Sequence, residues 1–173
     1  MARVRLLGSV LLGVWCAGCG TDPTISAVAD RLGPEEPGVP QGPEHRPGQP
    51  CVTCHHGSGP GEPAFSLAGT IYVDRDRALP LEGASVEFED ALERRRTAST
   101  NCAGNFYVEA DDWQPQFPVW VEVRFGEESI AMETPIQRDG ACASCHFDPA
   151  GPGSAGHVYL SEELLDLPAG ACP

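Results

Sequence analysis

The chain has 173 residues and a net charge of −14, with 25 acidic side chains against 11 basic ones, all of them arginine. A chain this acidic does not hold a nucleic-acid backbone by charge; its acidity suits solubility or docking on a basic protein partner. The length allows one domain with a core, and 20 glycines with 17 prolines favour loops and short strands over long helices.

Arg3 and Arg5 precede a short apolar run, Leu6 to Val14, and Ala17-Gly18 supplies small residues before Cys19. That order is the order of a secretory signal. The run is too short to span a bilayer, which takes roughly 20 apolar residues. Cys16-Ala17-Gly18-Cys19 resembles a bacterial lipobox, with Cys16 where leucine is usual. The resemblance implies a signal peptide over 1–18, an acylated Cys19 and a mature chain tethered by lipid at the cell envelope. Gly20 does not resemble an inner-membrane retention signal, which points to the outer membrane. The plainer alternative is ordinary secretion with cleavage nearby. Residues 19–50, with Pro34, Pro37, Pro40 and further prolines, lack periodicity and read as a flexible, disordered tether.

Cys51-Val52-Thr53-Cys54-His55 follows the tether, and Cys142-Ala143-Ser144-Cys145-His146 repeats its pattern. Both resemble the attachment motif of c-type cytochromes. In that chemistry two thiols add across the two vinyl groups of one porphyrin, and the following imidazole ligates the iron. The resemblance therefore implies two covalent haems, on Cys51 and Cys54 and on Cys142 and Cys145, with His55 and His146 as proximal ligands. A zinc site of four cysteines is the competing reading, but it leaves the two following histidines unexplained. A thioredoxin-like pair lacks its βαβ surroundings.

Between the motifs the apolar residues recur with period two. Phe65, Leu67, Ile71 and Val73 alternate with smaller or polar residues, then Ala84, Val86 and Phe88, then Phe106 and Val108, then Val119, Val121, Val123 and Phe125, then Ile130 and Met132. Turn residues separate them at Pro80 to Gly83 and Cys102 to Asn105. The fold class expected is mainly β: a small β-sandwich over 65–133, flanked by the two motifs, within a domain of residues 51–173. Gly69-Thr70-Ile71-Tyr72-Val73, Gly83-Ala84-Ser85-Val86 and Gly104-Asn105-Phe106 resemble the carboxypeptidase-regulatory-like, transthyretin-like sandwich. That family implies a binding or spacer module without catalytic residues. Arg94-Arg95-Arg96 reads as a solvated basic loop, or as a contact to haem propionates or a partner.

A sixth iron ligand needs imidazole or thioether, and the candidates are His45, His56, His157 and Met132. Cys102 and Cys172 remain, and in an oxidising compartment they are expected to form a disulfide. The function expected is electron transfer by a dihaem cytochrome that meets a redox partner with a basic surface and the membrane through its lipid. A haem enzyme of peroxidase or reductase type is the alternative, as is an envelope binding module bearing haem or zinc. No constellation of acid–base residues demands the enzyme.

Overall fold

The computed structural model describes residues 22–35, 39, 41–161 and 172. The proposed signal and Cys19 lie outside the described residues, as does the stretch 162–171. Among the described residues no helix is long and apolar enough to cross a membrane.

The chain is mainly β. Among the described residues seven strands form two sheets: β1 (Phe65–Asp74), β2 (Ser85–Glu89), β3 (Arg95–Ser99), β4 (Asn105–Glu109), β5 (Trp120–Phe125), β6 (Glu128–Ala131) and β7 (Val158–Ser161). One sheet has the order β4-β1-β7 and the other β3-β2-β5-β6. Leu67, Ile71 and Val73 of β1, Val86 and Phe88 of β2, Phe106 and Val108 of β4, and Val119 and Val123 meet in one core. These are the period-two positions of the sequence, and full burial of each such side chain stabilises the fold by roughly 1.5–3 kcal/mol.

β1 is the central strand of its sheet. It runs antiparallel to β4, with Gly69 opposite Phe106, and parallel to β7, with Ile71 opposite Val158. The sandwich therefore extends past the expected limit at 133, because its last strand returns only after the second motif. A one-sided strand was expected at β1, yet most of it is buried. Its inner face enters the core, while Thr70 and Tyr72 are covered by the segment that precedes the first motif.

That segment departs from a flexible tether. Pro23–Arg31 forms a helix, α1, capped by the Asp22 carboxylate on the Thr24 N–H at 2.7 Å. Residues 41–50 lie on the sandwich. The Asn105 side-chain amide donates to Pro43 O at 3.2 Å and to His45 O at 3.0 Å, and Asn101 donates to Pro43 O at 2.7 Å. Gly48 N–H donates to Thr70 Oγ1 at 2.7 Å, and Thr70 in turn donates to Asn105 Oδ1 at 2.7 Å. The buried Asn105 amide of β4 and the half-buried Asn101 before it thus satisfy carbonyls of a proline-rich strip that cannot form a ladder of its own.

β3 replaces the expected basic loop. Arg95 and Arg96 stand on it, the edge strand of its sheet, where charge discourages pairing with other chains. Each arginine has a carboxylate partner: Arg94 with Asp90, Arg95 with Glu89 and Arg96 with Asp112. Cys102 and Cys172 are joined by a disulfide with Cα atoms 5.1 Å apart, closing a loop across 70 residues. In the chain-entropy model such a closure contributes about 4 kcal/mol.

Candidate functional site

Cys51–Cys54 is a single helical turn, α2, and Cys142–Ser144 is a 3-10 turn. A spacing of three residues sets two thiols on one side of a turn. In both motifs the histidine N–H donates to the carbonyl of the first cysteine, His55 to Cys51 and His146 to Cys142, each at 2.9 Å. The backbone of each histidine is therefore tied to the turn that carries the thiols.

The two imidazoles are oriented alike. His55 Nδ1 lies 2.8 Å from Pro63 O, and His146 Nδ1 lies 3.1 Å from Gly156 O. A carbonyl only accepts, so Nδ1 carries the proton in both rings and Nε2 of the neutral ring keeps its lone pair for a metal. His55 is 7 % exposed. Phe65 stacks on it at 4.1 Å between ring centres. Gly61 approaches so closely that a Cβ there would stand 3.0 Å from Cδ2, Cε1 and Nε2 of the ring.

All four motif cysteines are free thiols. Burial pushes the Cys51 thiol up to about 11. Burial, then the nearby charges of Cys51 and Asp139, push Cys142 up to about 12. Cys54 is raised by burial against the opposing pull of Arg46. These groups are protonated thiols at neutral pH.

Both turns are seated on β1. His55 meets Phe65 at its start, Ala68 N–H donates to Gly140 O at 2.9 Å, and Ala68 bridges Ala141. Gly69 is required there: a Cβ would come within 2.8 Å of Cys142 Cβ and 3.1 Å of the Phe106 ring.

The four candidates for a further ligand are placed very differently. His45 lies beside the first motif, its ring centre 5.9 Å from that of His55. Together with Leu32, Arg46, Cys51, Cys54 and His55 it lines a pocket between the docked segment and α2. His56 is exposed, with Nδ1 3.3 Å from Ser58 Oγ. His157 has partners on both nitrogens, Asp148 at Nδ1 (2.8 Å) and Asp74 O at Nε2 (3.0 Å), and its ring meets Tyr72 at 4.7 Å. Met132 continues β6, its N–H donating to Val121 O at 3.0 Å in the four-stranded sheet. The proximity of His45 was hidden in the sequence, because the amide that seats its loop comes from Asn105.

Among the described residues no group of three or more His, Cys, Asp or Glu side chains converges to hold an ion. The donor set of each motif, two thiols and an imidazole oriented through Nδ1, fits covalent haem. Compared with protein-family models, with curated proteins and with solved structures, the chain matches none.

Proposed function

We propose that this chain is a dihaem c-type cytochrome that carries electrons at the cell envelope. Cys51 and Cys54 hold one haem and Cys142 and Cys145 the other through thioethers, with His55 and His146 as proximal ligands. The observation that carries this reading is the repeated geometry of the two motifs. Each has two free thiols on a single turn and a histidine whose Nδ1 is tied to a backbone carbonyl, at 2.8 Å and 3.1 Å. Haem iron supplies a one-electron couple. The chain's own part is to fix the imidazole rings, to bury His55 against Phe65, and to hold both turns on β1. The seating of both turns on one strand supports a pair of haems on the same side of the sandwich. The charge of −14 suits a partner with a basic docking surface. Cys19 is the proposed site of the lipid anchor.

The test is protein matured in a bacterium competent for c-type attachment. The polypeptide should retain the mass of two haems through acid–acetone extraction and give a thioether-type pyridine haemochrome spectrum. Cys51→Ser with Cys54→Ser should remove one haem and leave the other. Apoprotein mass in the wild type overturns the proposal.

A further inference from the structure

We propose that His45 is the second axial ligand of the iron held by His55, an assignment that rests on the haem reading above. A metal–nitrogen bond of about 2 Å on each side, with each nitrogen about 1 Å from its ring centre, separates two axial imidazole centres by roughly 6 Å. The His45 and His55 ring centres are 5.9 Å apart, with planes inclined by 35°. The two rings line one pocket with Cys51 and Cys54, the thiols that would anchor the porphyrin between them.

His55 has Nδ1 committed to Pro63 O at 2.8 Å and presents Nε2. Ligation by Nε2 of His45 puts a proton on Nδ1, and the Glu35 carboxylate, 4.0 Å from that atom and beyond hydrogen-bond reach, offers it a favourable charge. In this structure Nδ1 accepts from Gly42 N–H at 3.4 Å, and that bond gives way when the proton moves to Nδ1. Glu35 is itself fixed by Arg46 at 2.7 Å. The ring is carried on the segment that Asn105, 5 % exposed, binds at His45 O. His45 is therefore held by the sheet and not by a free loop. The other candidates lack this setting: His157 has partners on both nitrogens, and His56 is exposed.

The experiment compares the full-length haem-loaded wild type with His45→Ala, His45→Met, His56→Ala and His157→Ala. Haem content is read by pyridine haemochrome, spin state by electron paramagnetic resonance, and open iron by carbon monoxide titration. His45→Ala should keep both haems, convert one low-spin iron to high spin, and bind one more carbon monoxide per chain than wild type. His45→Met should restore six-coordination at a higher potential, since thioether ligation raises it. Should His45→Ala lose a haem, His45→Met decides: unchanged potentials overturn the assignment. It is also overturned if His45→Ala keeps both haems and the wild-type spectrum, or if the new carbon monoxide site arises in His56→Ala or His157→Ala instead. A wild type without thioether-bound haem overturns the haem reading, and this assignment with it.

Discussion

Cys51 and Cys142 illustrate how one residue's environment sets its chemistry. Thiolate, not thiol, is the reactive form, and burial holds these two groups at about 11 and about 12. Cys145, in contrast, is exposed. In reduced protein expressed without haem attachment, iodoacetamide at pH 8 is expected to modify Cys145 first and Cys142 last. Alkylation of Cys51 should accelerate by about tenfold per pH unit up to pH 10, as the thiolate fraction grows. Peptide mapping by mass spectrometry checks the order; equal rates at all four motif cysteines would contradict the burial described here. Gly61 and Gly69 act at the same scale. Neither contributes a functional group, yet a Cβ at either would strike the His55 ring or Cys142. They are glycine because the His55 ring and the Cys142 side chain occupy the space where a Cβ would stand.

At the scale of elements, the segment 41–50 is held by polar contacts to buried Asn105 and Thr70. Asn105→Ala removes the donor to His45 O, leaves Pro43 O with Asn101 alone and takes away the acceptor of the Thr70 hydroxyl, at a cost of roughly 1–3 kcal/mol. Cleavage after Glu44 by a glutamate-specific protease should then become faster than in wild type, while far-UV circular dichroism remains that of the sandwich. Unchanged cleavage would show that the segment is held by something else. This contact also marks the limit of what the sequence discloses. β1, β2, β4 and β5 are legible because alternation is local and each buries a face. β3 is not: Arg95–Ser99 is almost wholly exposed at a sheet edge, so no apolar period signals it. β7 is short and lies beyond the second motif, where its parallel pairing with β1 has no local trace. The paired cysteines and their histidines are read from spacing alone. The approach of His45 to His55 depends on hydrogen bonds across about sixty residues, Asn105 to His45 among them, and no periodicity encodes that.

At the scale of the whole molecule, two buried carboxylates, Asp74 and Asp90, hold the loops that follow β1 and β2, and they set its response to acid. Asp90 is opposed by burial, but the Gln116 N–H, the Arg94 guanidinium and the N–H groups of Arg94 and Leu92 draw its carboxyl well below the carboxylate range. Asp74 is lowered chiefly by Arg77. A carboxyl lowered by folding contributes stability above its unfolded value of about 3.9, and that contribution is lost as pH falls toward the folded value. The thermal midpoint should hold from pH 7 to pH 5 and drop below about pH 4; Asp90→Asn should be less stable at pH 7 and flatten the acid slope. A slope identical to wild type would remove Asp90 from this account. The same compactness bears on the proposed haems. Both motif turns rest on β1. On the proposed reading, oxidation of one iron therefore raises the potential of the other, and the pair titrates with macroscopic values that belong to neither alone. A redox titration followed optically should deviate from the sum of two independent one-electron curves. Removing one haem with Cys142→Ser and Cys145→Ser should shift the potential of the haem that stays. Electron paramagnetic resonance of the oxidised wild type should show a magnetic interaction that the single-haem variant lacks. Two independent curves, a remaining haem with unaltered potential and spectra that add without interaction would place the haems apart, whatever their common strand.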